Sequence, residues 1–228
     1  MKSLKYAIKM GALLIVPAIC QARVLKDIPI PSGYARVEYA DSSYSGWIQR
    51  LPIKDDNVIL GCDGKPVISP RYSVLAVVDM PMLFSRDLEQ CADWCFRFRA
   101  EYFKQTGRLE QLYLFDYNGK RRYYRDSGQP YKGFLKWTMD NANSYSLKKG
   151  CRSVEEKDLR PGDMLVQNQT GGVGHVSVVM DVCRDGRGGA ALSYRLQLYA
   201  GPAISSGKGQ GREWKGRLVL DRGIQAIS

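Results

Sequence analysis

The chain predicts an α+β fold, and three observations carry that prediction. One amphipathic helical segment stands out between Ser85 and Lys104. Short β-branched segments separated by glycine and proline turns follow it, from Met164 to Tyr199. Helical and strand segments are segregated along the chain. The composition is that of an ordinary globular protein. Its 228 residues are 44% hydrophobic and 25% charged, which excludes disorder and collagen-like structure and suits one domain, or at most two small ones. A single histidine, His175, excludes HExxH metalloproteases and paired-histidine zinc fingers, so any imidazole chemistry must use that residue.

The elements are justified in order. Lys2, Lys5 and Lys9 precede an apolar stretch from Met10 to Ile19 and a small-residue cleavage pattern, Cys20-Gln21-Ala22. Residues 1–22 therefore read as a secretory signal peptide, with a periplasmic or secreted mature chain. Ile19 is too large for a good lipobox, so Cys20 is not expected to carry a lipid. No later segment has about 18 consecutive apolar residues, and no stable membrane insertion is expected. Residues 23–228 are expected to form one domain, with residues 23–70 as an N-terminal extension. Pro29, Pro31 and Gly33 mark an extended entry, residues 37–50 mix aromatic and polar types, and residues 52–70 are turn-rich. Tyr72 to Met80 reads as a buried strand stopped by Pro81.

In the helix, Cys91, Trp94, Cys95, Phe98 and Tyr102 follow i, i+3, i+4, i+7, i+11 spacing and share one face. Asp87 and Gln90 resemble a capping box at its start. Gln111 to Tyr117 and Arg121 to Tyr124 flank Asn118-Gly119, a hairpin signal. Phe134 to Leu147 reads as a second helix. Pro161-Gly162-Asp163 is a turn into a strand at Met164–Gln167; the glycine-rich segment 170–174 then leads to a strand at His175–Val182. Ser193–Tyr199 is a third strand, residues 201–212 read as a flexible loop, and Leu218–Leu220 as an edge strand.

Cys91 and His175 are the sharp chemical pair. A thiol is activated by a neighbouring imidazole and by a helix N-terminus. Cys91 lies near the start of the helix, and His175 opens a strand after a glycine loop. The alternative is a core cysteine beside Trp94 and Phe98. Cys95, one turn further from the positive end of the helix dipole, is the weaker nucleophile and reads as core or disulfide-bonded. A bond between Cys91 and Cys95 would strain a regular helix. Cys183 lies roughly 26 Å from His175 at ~3.3 Å per residue. Cys62 and Cys151 sit in turn-rich segments and are disulfide candidates. The leader removed, five cysteines remain, an odd number that leaves one thiol unpaired or joined to another chain.

A third group should orient the imidazole; Gln197 is the first choice, with Asp181 and Tyr199 behind it. There is no GxSxG elbow, and Gly201 to Lys208 departs from a P-loop in spacing and in lacking Ser or Thr after the lysine. The formal charge of +11 falls by three with the leader and remains basic. Anionic cell-wall polymers, lipid head groups or acidic glycans are partners of matching charge, whereas the scattered placement also fits a role in solubility alone. Export disfavours nucleic-acid binding.

Leu159-Arg160-Pro161-Gly162-Asp163-Met164-Leu165-Val166 followed by Gly174-His175-Val176 resembles the histidine half of NlpC-type cell-wall cysteine peptidases. That resemblance implies a papain-like core, with a helix carrying the cysteine packed on an antiparallel sheet carrying the histidine. It implies the order Cys91, His175, Gln197 and cleavage of amide bonds in peptidoglycan stem peptides or related γ-glutamyl linkages. More of the chain is similar to an exported Gram-negative family catalogued as a domain of unknown function. The shared phrases are Pro31-Ser-Gly-Tyr-Ala-Arg-Val-Glu-Tyr39, Ala76-Val-Val-Asp-Met80, Asp87-Leu-Glu-Gln-Cys-Ala-Asp93 and Arg97-Phe-Arg-Ala-Glu-Tyr-Phe103. This likeness selects Cys91 over Cys95. NlpC-type enzymes set their cysteine at the very start of the helix, whereas Gln90-Cys91-Ala92 reads as lying inside it.

The expectation is an exported cysteine hydrolase acting on peptidoglycan peptide, with no metal and no cofactor. The alternative is a non-catalytic periplasmic module binding cell-wall peptide or a protein partner. An acyltransferase using the same pair is a third reading.

Overall fold

The computed structural model describes residues 22–67, 74–168, 174–185, 192–196, 203–205 and 217–219. In chain order the elements are β1 (Tyr34–Arg36), α1 (Tyr44–Gln49), β2 (Val74–Val77), α2 (Cys91–Gln105), β3 (Tyr113–Phe115), β4 (Arg121–Tyr123), α3 (Tyr131–Asn141), α4 (Ser144–Gly150), β5 (Met164–Gln167), β6 (His175–Asp185), β7 (Leu192–Leu196), β8 (Ala203–Ser205) and β9 (Arg217–Val219). The fold is α+β, with helices and antiparallel sheets. Among the described residues seven strands form the larger sheet in the order β2-β8-β7-β6-β5-β9, with β1 pairing the far end of β6; β3 and β4 form a separate hairpin.

The central strand β6 is built from β-branched residues, and its alternation sorts them between two cores. Val176, Val178 and Met180 join Trp94, Phe98 and Tyr102 of α2 in the main core. Val179 packs on the other side of the sheet with Leu159 and Val182. Residues 23–53 contribute Leu25, Ile28, Ile48, Leu51 and Ile53 to the main core. There Leu25 N–H donates to the Leu51 carbonyl at 2.9 Å, and β1 pairs residue for residue with Cys183–Asp185.

Several expectations need correction. α2 starts at Cys91, six residues after the expected Ser85. The buried Glu89 carboxylate accepts the backbone N–H groups of Leu83 (2.6 Å) and Phe84 (3.1 Å), and so holds the preceding segment as a loop. The expected helix over Phe134–Leu147 is two helices. Asn143 breaks it and caps the second, its side chain accepting from Tyr145 N–H at 2.8 Å. Within residues 201–212, expected as a loop, Ala203–Ser205 is a strand between β2 and β7. α1 was not foreseen. Ser43 caps it, and Gly46 is required because a Cβ there would lie 2.3 Å from the Ala40 carbonyl oxygen. The hairpin, β5 and the opening of β6 fall where the sequence places them.

Candidate active site at the start of α2

Cys91 is the first residue of α2, with Gln90 as the extended N-cap. The sequence reading set it inside the helix, so this is a correction with chemical weight. The helical ladder begins with Trp94 N–H to the Gln90 carbonyl at 3.1 Å. The N–H groups of Cys91 and Ala92 therefore lie outside the ladder. Together with the backbone N–H of Val176, they pull the Cys91 thiol down electrostatically. The nitrogen of Val176 is bonded to the carbonyl carbon of His175. The fold thus delivers the start of β6 to the thiol.

Electrostatics at the pair differ from the expected low-pKa thiol. Burial pushes the Cys91 thiol up; the N–H groups of Val176, Ala92 and Cys91 pull it down, Asp93 adds to the rise, and the net direction is upward. Burial also lowers the His175 imidazole below its ordinary 6.5. Both shifts favour neutral groups, so the resting state is a thiol and a neutral imidazole. Both residues are half-buried.

His175 opens the row of β6 that continues through Ser177 and Val179, and its cross-strand partner is Gln167. Val176, in the adjacent row, faces α2. His175 therefore stands on the row of β6 opposite the one that faces α2. The residue before it is fixed tightly. A Cβ on Gly174 would lie 2.6 Å from both Asn168 Cβ and Ser144 Oγ. Asn168 is buried, its Nδ2 donates to Ser144 Oγ at 2.8 Å, and its carbonyl accepts from Lys148 Nζ at 2.6 Å. α4 thereby clamps the end of β5 against the entry to β6. Sequence reasoning missed Asn168 and Ser144, whose contact spans 24 residues and leaves no local pattern.

Asp93, in the first turn of α2, was also missed. Its Oδ2 accepts Gln90 N–H at 3.0 Å, the N-terminal closure of the helix. Its Oδ1 is buried without a hydrogen-bond partner among the described residues, as is Trp94 Nε1. Burial, reinforced by Glu89, Asp140 and Asp87, raises the Asp93 carboxyl to about 8. Asp93 is therefore a neutral acid at pH 7.

The remaining candidates separate. Cys95 is buried one turn beyond Cys91, and its S–H donates to the Cys91 carbonyl at 3.5 Å. Asp181 is committed elsewhere. It accepts Arg36 Nε at 2.7 Å and Gln49 Nε2 at 2.9 Å, six residues along β6 from His175, or roughly 20 Å at ~3.3 Å per residue. It cannot orient the imidazole. Gln197 and Tyr199 lie outside the described residues. Cys183 is buried beside Asp181, as remote from His175 as its position predicts. Among the described residues no group of three His, Cys, Asp or Glu side chains has the grouping of a metal site, and no helix is long and apolar enough to cross a membrane.

A family model described as a domain of unknown function (4846) matches residues 24–132. That region is just under half of the chain; it includes Cys91 and stops before His175. No curated protein and no solved structure matches the chain. The matched family carries no described activity, so the chemistry rests on the site itself.

Proposed function

We propose that the chain is an exported thiol hydrolase with a papain-like, NlpC-type core that cleaves amide bonds in peptidoglycan stem peptides. The observation that supports this reading is the place of Cys91 as the first residue of α2, where its own N–H and that of Ala92 lie outside the helical ladder and, with the N–H of Val176 next to His175, favour the thiolate. Such donors at a helix start suit an oxyanion as well as a thiolate. Cys91 Sγ attacks the amide carbonyl as His175 takes the thiol proton. The C–N bond then breaks as the imidazolium returns that proton to the leaving amine. Water, deprotonated by His175, hydrolyses the thioester and regenerates the thiol. Gln197 orients the imidazole. Residues 1–22 direct export, and the mature basic chain meets an anionic wall.

A neutral thiol and a neutral imidazole make this a general-base mechanism rather than a preformed ion pair. Activity then needs His175 unprotonated, so the acid limb of kcat/KM falls below pH 6.5. The test is digestion of peptidoglycan by the protein and its Cys91→Ala and His175→Ala variants, with products resolved by mass spectrometry. New stem-peptide fragments absent from both variants are the expected result. Identical fragments from wild type and Cys91→Ala overturn the proposal.

The second reading is a non-catalytic module binding cell-wall peptide or a protein partner. The raised thiol and the place of His175 on the row of β6 opposite α2 favour it. Peptidoglycan peptide retained by the folded protein without cleavage is its signature.

A further inference from the structure

The sequence left the pairing of the cysteines open; the fold sorts them. Cys95 on α2 and Cys151 at the C-cap of α4 line one cavity of about 40 Å³ together with Phe96, Phe115, Leu147 and Met164. Cys95 belongs to the main core, and Cys151 packs against that same core. α2 and α4 are in direct contact, which brings the two side chains to the same space. The other cysteines stand apart. Cys62 lies in the turn closed by the Gly61 N–H to Lys65 carbonyl bond. Cys183 lies opposite Arg36 at the far end of β6. Cys91 is on the same helix as Cys95, one turn away, where a bridge would distort the first turn.

We infer that Cys95 and Cys151 form a disulfide across this cavity when the protein meets an oxidising thiol–disulfide buffer. Both are thiols in this structure. Cys151 is half-buried and Cys95 is 7% exposed, so the reaction starts at Cys151. The Cys151 thiolate attacks an external small-molecule disulfide, and one external thiol leaves. The Cys95 thiolate then attacks the Cys151 sulfur, and the second external thiol leaves. The protein loses two hydrogens, and one external disulfide becomes two thiols. The bond joins α2 to α4, the helix that clamps Asn168 and the entry to β6. It ties the two supports of the candidate site together and leaves Cys91 as a thiol. The inference does not depend on the hydrolase reading, since it needs only the cavity and an oxidant.

The test equilibrates the purified protein with oxidised and reduced glutathione, blocks remaining thiols with iodoacetamide in denaturant, and digests with trypsin without reduction. Trypsin leaves Cys91 and Cys95 on one peptide, residues 87–97, so fragmentation must place the bridge. The expected product is the 87–97 peptide bridged through Cys95 to the peptide carrying Cys151, with Cys91 alkylated. The same bridge is expected in Cys91→Ser and is lost in Cys151→Ser, a half-buried substitution that leaves the core intact. Alkylation or glutathionylation of both Cys95 and Cys151, or a bridge from either one to Cys62, Cys91 or Cys183, overturns the inference.

Discussion

The two ends of β6 handle buried polarity in opposite ways. At the far end, Asp181 is 1% exposed, and its carboxylate receives Arg36 and Gln49 while Arg36 also donates to the carbonyls of Lys26 and Ile28. Nearly every donor there meets an acceptor, and the result is a clasp holding β1 and α1 to the sheet. At the near end, the start of α2 keeps a buried carboxyl oxygen and a buried indole N–H without partners among the described residues, beside a half-buried thiol. Polarity that is matched holds a fold together, whereas polarity that is buried and left partly unmatched costs stability and is retained where it serves chemistry. The buried Glu89–Arg97–Glu101 set, with Tyr131 Oη donating to Glu101 at 2.9 Å, belongs to the first kind although Arg97 and Glu101 lie on α2 itself.

This contrast is broken or sharpened by substitution. The largest effect is expected at the clasp. Asp181→Ala strands the Arg36 guanidinium and should cost about 3–5 kcal/mol in urea unfolding, with Cys91 alkylation in the folded state unchanged. A cost below about 1 kcal/mol would remove the distinction between the two ends.

Asp93 comes next. Its carboxyl is raised from 3.8 to about 8 in the folded protein, so the folded state holds a proton that the unfolded chain releases. The stability this contributes is full below the unfolded value near pH 4 and is lost as pH rises through about 8, a span on the order of a few kcal/mol. Asp93→Asn should flatten that slope and leave a protein more stable than wild type at pH 8. Parallel wild-type and variant curves from pH 4 to 8 would show that Asp93 ionises normally.

Gly174→Ala tests the clamp. Its methyl meets Asn168 and Ser144, and the expected cost is about 1–3 kcal/mol with slower chemistry at Cys91. The smallest effect is at the N-cap of α4. Asn143→Ala removes the acceptor for Tyr145 N–H and should cost about 1 kcal/mol in thermal unfolding.

Local patterns made part of this legible. The helix could be read from its spacing, and β5 and the first residue of β6 from their turns and alternation; the expected single apolar face could not, since Ala92 to Phe103 are buried all round, Arg97, Arg99 and Glu101 included. The start of α2 could not. Leu88 and Glu89 are buried like helical residues, and only the reach of Glu89 back to Leu83 and Phe84 shows that they form a loop. β8 has the glycine- and serine-rich surroundings of a loop, yet pairing with β2 and β7 on both sides makes it a strand. The low-pKa thiol was expected from the helix dipole, a local argument. Desolvation, which depends on what packs over Cys91, outweighs it. The Asn168–Ser144 clamp and the Cys95–Cys151 cavity are contacts between distant segments, and no periodicity encodes them.

The central claim is that Cys91 is a nucleophile served by His175. Its most direct test is incubation with an activated ester of a short peptide, followed by intact-protein mass spectrometry and mapping of the adduct. An activated leaving group makes the test independent of the natural substrate. The account predicts a transient acyl group on Cys91, absent in Cys91→Ala and formed more slowly but longer-lived in His175→Ala. Acylation that spreads equally to Cys62, or that proceeds and decays unchanged without the imidazole, would contradict it.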